Sequence, residues 1–160
     1  MDIEVAVVSA LMIGICALPF ILIVRAKNKR KKRLVNELNI EANKVNCVIT
    51  EYEIWRESVI GLDTNRNILF ANDAGKNVQY FDLKEYRSVN QVKTSYRVHE
   101  HGESRSVIER IEIVLDTVAG RGKSSGKILI FDAEETPLIE QEIEIAEKWE
   151  KKLREIVKRN

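Results

Sequence analysis

One glycine-rich stretch of the sequence has the composition of a phosphate-binding loop. It reads GRGKSSGK and occupies residues 120–127. A nucleotide-binding loop of this type needs a glycine five residues before its Gly-Lys pair and a helix after it, so that backbone N–H groups and the helix dipole meet the phosphates. Thr117 or Arg121 stands where that glycine is needed, and a strand-like pattern follows. The stretch therefore predicts a loop between two strands.

Two histidines and one cysteine are the other residues whose chemistry could serve a site. His99 and His101 share one side of an extended chain and could hold a metal ion, but the nearest third ligand, Glu103, has no defined geometry. Cys47 lies in an apolar segment with no histidine close in sequence, which favours a buried thiol over a nucleophile. The sequence thus predicts no catalytic residue, no metal site and no cofactor, and a protein that is not an enzyme.

An uncharged segment lies near the start of the chain, at residues 5–24, and its most polar member is Ser9. A helix of this length spans roughly 30 Å, the thickness of the hydrocarbon core of a bilayer. A signal peptide would place basic residues before the apolar stretch, whereas Asp2 and Glu4 come first here. The segment predicts a transmembrane helix.

A group of basic residues follows directly. We call it the basic cluster, and it consists of Arg25, Lys27, Lys29, Arg30, Lys31, Lys32 and Arg33. The positive-inside rule then predicts a single-pass protein of the inner (cytoplasmic) membrane, with its N-terminus outside and the remainder in the cytoplasm. The cluster is also expected to attract anionic lipid headgroups, at about 1 kcal/mol per charge.

The charge of the remaining chain limits the choice of partner. Residues 34–160 contain 19 basic and 23 acidic side chains. This mildly acidic balance argues against a nucleic-acid partner, because such a partner requires a basic face on the folded domain. The two cysteines fall in different parts of the chain, Cys16 in the apolar segment and Cys47 after it, so no disulfide is expected.

The patterning predicts three parts: a transmembrane anchor at 1–26, a basic juxtamembrane helix or linker at 27–44, and one folded domain at 45–160. The linker places Leu34, Val35, Leu38 and Ala42 on one helical stripe. In the folded domain the period of two predicts seven strands, at 45–55, 58–63, 68–72, 78–83, 86–99, 106–117 and 127–132.

The end of the chain has the pattern of an amphipathic helix. Thr136 is suited to cap it and Pro137 to its first turn, while Glu140 and Glu142 suit the positive end of its dipole. Its apolar stripe consists of Ile139, Ile143, Ala146, Trp149, Leu153 and Ile156. We expect this stripe to pack on the sheet.

This order of elements, with the stretches IGLDTNRNILFAN and VQYFDLKEYRSVNQV, resembles bacterial pleckstrin-homology (PH)-like domains over residues 45–158. The resemblance implies an α+β fold in which an N-terminal transmembrane helix precedes a PH-like half-open barrel of about seven antiparallel strands, capped by the C-terminal helix. It also implies binding of phosphoinositides, peptides or proteins rather than catalysis. Lipid-binding members carry a basic run in the first hairpin, whereas EIWRESVIG holds Arg56 alone between glutamates.

The expected function is therefore that of a membrane-anchored cytoplasmic docking module, either an adaptor or an accessory subunit of an inner-membrane complex. The predicted contact is strand addition along residues 86–99, with Tyr86, Val89, Val92 and Tyr96 as the partner edge. The alternative is a membrane protein that senses anionic lipid through the basic cluster. Neither hypothesis involves nucleic acid or a small-molecule substrate.

Overall fold

The computed structural model describes residues 3–72, 77–100, 103–117, 125–134 and 140–159. The chain divides into two compact units, residues 1–36 and residues 37–160. A single helix, α1, runs from Ile3 to Lys44 and continues through Pro19. The stripe predicted for its last turns is confirmed at Leu34, Leu38 and Ala42, which are buried, while Val35 is half-buried.

Among the residues that the structure describes, no helix combines the length and the apolar composition needed to cross a membrane. This finding contradicts the transmembrane helix predicted at residues 5–24, and it removes the support for a single-pass inner-membrane protein with its N-terminus outside. The prediction rested on the uncharged residues 5–24 alone and left open whether the following segment extends the same helix. In the structure they belong to a helix of 42 residues that also carries the whole basic cluster.

Seven antiparallel strands form two sheets, each with its strands in sequence order. The first sheet contains β1 (Glu51–Trp55), β2 (Ser58–Asp63), β3 (Ile68–Asn72) and β4 (Gln79–Asp82). The second contains β5 (Tyr86–Glu100), β6 (Glu103–Thr117) and β7 (Gly126–Asp132). One turn of 3-10 helix, Leu83–Glu85, connects them.

The predicted half-open barrel is wrong. The strands pair only within their own sheet over the described residues, and no barrel closes. The sequence pattern located the strands but held no information on pairing between the two sheets. The first strand is also shorter than predicted, because the chain turns at Asn46, with φ 56°, before it joins the sheet at Glu51.

The centre of the first sheet is buried on both faces. All six residues of β2 are buried. On one face Gly61 lies against α1, so closely that a Cβ atom there would come within 2.5 Å of Leu38 Cδ2. The absence of a side chain at Gly61 therefore lets the last turns of the helix approach the sheet.

The opposite face of the first sheet contributes to the main hydrophobic core, together with the inner face of the second sheet and one face of the C-terminal helix. A hydrogen bond joins the two sheets: Trp55 Nε1 donates to the carbonyl oxygen of Ile130 at 3.0 Å. Ile130 is the bulged residue of β7, since Ile111 pairs with Phe131 and Glu112 with Leu129.

The C-terminal helix, α2, spans Glu140–Arg159 and buries Ile145, Ala146, Trp149, Leu153 and Val157. The predicted stripe is confirmed at Ala146, Trp149 and Leu153, while Ile143 and Ile156 are half-buried and Ile139 lies outside the described residues. Thr136 and Pro137 also lie outside them.

Two charged residues of α2 are buried as well. Glu142 forms an ion pair with Arg56 of the β1–β2 turn, and Glu150 forms one with Arg154. Glu142 was predicted to act through the helix dipole; the pairing adds a specific partner for its charge.

Candidate functional site: the edge of strand β5

Strand β5 is one edge of the second sheet, and α2 packs against its first half. Two side-chain contacts fix this packing. Arg154 Nε donates to the Val89 carbonyl oxygen at 3.4 Å, and Lys93 Nζ lies 3.0 Å from Glu147 Oε1. The helix thus covers the edge as far as Lys93.

Beyond Lys93 the edge is open, because residues 94–97 are all exposed. In an antiparallel strand, successive residues direct their N–H and C=O groups to opposite edges. Since the carbonyl of Val89 faces Arg154 and away from β6, the backbone groups of Ser95 and Arg97 face the open edge too. This segment can therefore accept a further strand.

The structure separates the four residues of the predicted partner edge into two pairs. Val89 is buried in the core, and Tyr86 packs edge-on against Phe81 with ring centroids 6.4 Å apart. Val92 and Tyr96 are 42% and 49% exposed and share the outer face of the sheet. Only the second pair is available to a partner.

A third exposed apolar residue, Val107 of β6, was missed by the sequence reasoning. It lies directly opposite Tyr96 in the β5–β6 pairing. The pairing register of β5 and β6 would have identified Val107 as the neighbour of Tyr96. That register depends on a β-bulge between Thr94 and Ser95, which no local sequence pattern indicates. Tyr96 and Val107 thus form a cross-strand apolar pair on the outer face.

Arg110 and Asp132, on the outer face, are paired with each other. Arg110 Nη2 donates to Asp132 Oδ2 at 2.7 Å. The hydrogen bond from the Glu134 backbone N–H, followed by that from Arg110, holds the pKa of Asp132 below its ordinary value. Asp132 in turn raises the pKa of the Arg110 guanidinium. The charge of Arg110 on the outer face is therefore balanced by Asp132.

One polar atom on the other face of β5 lacks a partner. The side-chain nitrogen of Gln91 is buried and donates no hydrogen bond to any residue that the structure describes. Gln91 lies opposite Ile113, on the face that carries Val89 and Lys93. The α2 side of β5 therefore contains one buried hydrogen-bond donor, the Gln91 side-chain nitrogen, without an acceptor among the described residues.

All seven residues of the basic cluster are exposed along α1. The apolar residues before them are exposed as well, namely Leu18, Phe20, Ile21, Leu22, Ile23 and Val24. An apolar surface of this extent next to concentrated positive charge is a second candidate for an interaction site.

The other stretches singled out in the sequence form no site in the described part of the chain. Residues 120–124 of the glycine-rich stretch and His101 lie outside that part, and His99 is described only by its backbone in β5. No group of three His, Cys, Asp or Glu side chains that could hold a metal ion occurs among the described residues.

Cys47 is buried at the end of α1, next to Asp63. Burial, and then the charge of Asp63, raises the pKa of the Cys47 thiol. Burial also acts to raise the pKa of Asp63, but backbone N–H donors outweigh it and lower that pKa below 3.8. The donors are Val48 at 2.9 Å, Asn65 at 2.9 Å and Arg66 at 3.0 Å. A neutral thiol is a poor nucleophile, so this arrangement favours a structural role for Cys47 over a catalytic one.

A shallow depression that encloses about 10 Å³ lies where β4 approaches β7. Its lining residues are Ala71, Asn72, Gln79, Phe81, Lys127, Ile128 and Leu129. Sites for small molecules usually enclose at least about 300 Å³ and bury most of the ligand. The depression is open to solvent and does not meet that description.

No family model, curated protein or solved structure matches this chain.

Proposed function

We propose that this protein is a docking module that binds an extended segment of a partner protein along the open edge of β5. The observation that carries the proposal is that β5 continues past the cover of α2, with residues 94–97 exposed. Its backbone groups can bond to an added strand, while Tyr96 and Val107 provide apolar contact on one face. The proposal needs no catalytic residue.

Proline substitutions test the edge directly. Ser95→Pro removes an N–H that faces the open edge, where proline is tolerated, so the free energy of unfolding should change by about 0.5 kcal/mol or less. Thr94→Pro removes an N–H that faces β6 and should cost on the order of 1–3 kcal/mol. Urea denaturation of both variants establishes the direction of the backbone groups.

Binding itself can be tested with a photo-crosslinking amino acid at position 94 of the full chain in its native cells. We expect one adduct of defined mass that disappears when Ser95→Pro is added. The matched control places the crosslinker at Glu155, an exposed position on the solvent side of α2. An adduct that persists in the Ser95→Pro background, or equal adducts at both positions, would rule out docking at this edge.

A second candidate function is contact with anionic lipid headgroups through the basic cluster. The observation that favours it is the exposure of all seven cations next to exposed apolar residues of the same helix. Each charge near an anionic surface is worth about 1 kcal/mol, and salt weakens this attraction.

Vesicle co-sedimentation tests this second function. The full chain should sediment with vesicles that contain phosphatidylserine and remain in solution with neutral ones. Replacing Lys27, Lys29, Lys31 and Lys32 by Gln should weaken binding at least about tenfold. The control replaces four exposed lysines elsewhere: Lys84, Lys127, Lys151 and Lys158. Equal losses in both variants would contradict a role for the cluster.

A further inference from the structure

The two sides of the β5 edge differ in chemistry, and the difference bears on which segment can bind there. Side chains alternate between the faces of a strand, so Lys93, Ser95 and Arg97 share the face of α2, while Val92, Thr94 and Tyr96 share the outer face. One side of the edge is therefore cationic and hydroxylic, and the other is mainly apolar.

An added strand repeats this division, because residues opposite one another across a strand pair lie on the same face. A partner residue opposite Arg97 meets a cation. Its neighbours along the partner strand project to the other face, where they meet Thr94 or Tyr96. The edge therefore favours a partner strand in which charged and apolar residues alternate.

The charges around the edge favour an acidic partner. Lys93 is already paired with Glu147 of α2. Arg97 is exposed farther along the strand, within the open segment. A partner carboxylate opposite Arg97 is therefore attracted and a partner cation repelled.

From this geometry we infer that the partner segment alternates acidic and apolar residues, with the acidic ones on the α2 side of the edge and the apolar ones beside Tyr96. The inference rests on the proposed docking at β5. It adds to that function the class of partner, an acidic amphipathic strand.

One way of pairing a second copy of this chain with the edge is unfavourable. Antiparallel pairing of two β5 edges centred on Ser95 places Lys93 of each copy directly opposite Arg97 of the other. Like charges in directly opposed positions destabilise a strand pair. Self-association in this register is therefore disfavoured.

Three labelled peptides test the inference on the full chain by fluorescence anisotropy. The first alternates Val with Glu, the second alternates Val with Lys, and the third has the composition of the first with its Val and Glu residues in separate blocks. The first should bind at least about tenfold more tightly than either of the others. Arg97→Glu should reduce or reverse the preference between the first and second peptides, whereas Arg159→Glu, at the far end of α2, should leave it unchanged.

The outcomes distinguish this inference from the docking function. If the acidic and basic alternating peptides bind equally and Ser95→Pro abolishes both, docking at the edge holds and the acidic partner class is wrong. If no peptide binds, or Ser95→Pro has no effect, docking at the edge fails as well. If light scattering shows a dimer that Ser95→Pro dissociates, the occupant is a second copy and the inference is overturned.

Discussion

At the scale of single residues, the chain shows how a buried carboxylate is kept ionised. Asp63 is 2% exposed, yet both of its side-chain oxygens accept backbone hydrogen bonds. Those bonds favour the charged form more than burial disfavours it. Asp63 thereby connects the segment after α1 to the turn after β2.

This balance makes the contribution of Asp63 to stability dependent on pH. Its pKa is lower in the folded chain than the ordinary 3.8, so its contribution is complete above that value and is lost as pH falls through the folded pKa. Asp63→Asn should lower the free energy of unfolding by about 1–3 kcal/mol at pH 7, because an amide NH₂ cannot accept a hydrogen bond. Urea denaturation between pH 7 and pH 2 should show the gap to the wild type narrowing below pH 4. A gap of constant size would contradict this account.

Gln91 presents the opposite case, a buried donor without an acceptor among the described residues. Such a group costs about 1–3 kcal/mol. Gln91→Met keeps the length of the side chain and removes the donor, so it should raise the free energy of unfolding by about 1 kcal/mol. Gln141→Met, on the exposed side of α2, is the matched control and should change it by about 0.5 kcal/mol or less. A destabilised Gln91→Met variant would show that the amide has a partner in solution.

At the scale of elements, a hydrogen bond and two ion pairs connect α2 to β1, in addition to the apolar packing of α2. Trp149 Nε1 donates to Glu53 Oε2 at 2.7 Å, and Lys148 Nζ lies 2.9 Å from the same oxygen. Lys152 pairs with Glu51 one turn farther along the helix. The bond from Trp149 to Glu53 involves a buried indole, whereas the Lys152–Glu51 ion pair is accessible to solvent.

The two glutamates of β1 should therefore respond differently to substitution. Glu53→Ala leaves the buried indole N–H without its acceptor and should cost about 1–3 kcal/mol, while Glu53→Gln retains an oxygen acceptor and should cost less. Glu51→Ala removes only a surface ion pair and should cost at most about 1 kcal/mol. Guanidinium denaturation of the three variants gives the order. Equal losses at both positions would mean that the indole bond contributes no more than the surface pair.

The elements also show what the sequence could and could not predict. The bounds of β2 and β3 follow from the period-two pattern, and the α2 stripe follows from its helical period. The cover of β2 by α1 could not be foreseen, because it depends on Gly61 meeting Leu38 across the fold. The two partner-edge residues in the core, Tyr86 and Val89, were misplaced for the same reason: nothing in their local pattern shows where α2 will lie.

At the scale of the whole molecule, the hydrophobic layers described for residues 37–160 belong to one unit. The main core involves both sheets and α2, and a second apolar layer lies between Leu38 and the first sheet. We therefore expect residues 37–160 to unfold as one cooperative domain, with a free energy of about 5–15 kcal/mol.

Two probes can test this expectation on the fragment 37–160. Both tryptophans bond across elements, Trp55 to β7 and Trp149 to β1, so their fluorescence reports on the assembled core. Their transition in urea should coincide with that of the far-ultraviolet circular dichroism. Separate midpoints would mean that the two sheets unfold independently and would contradict the expectation of one cooperative domain.

The bulge at Ile130 has a consequence for how this chain can vary. The indole N–H of Trp55 donates to the carbonyl of Ile130, the one β7 residue without a partner in β6. The alignment of the two sheets therefore depends on the number of residues in β7 that precede Ile130. Gaining or losing a residue between Gly126 and Ile130 would shift that alignment, however conservative the amino acid. Related sequences should thus keep the number of β7 residues constant, as well as apolar residues at the buried positions of Ile128, Ile130 and Phe131.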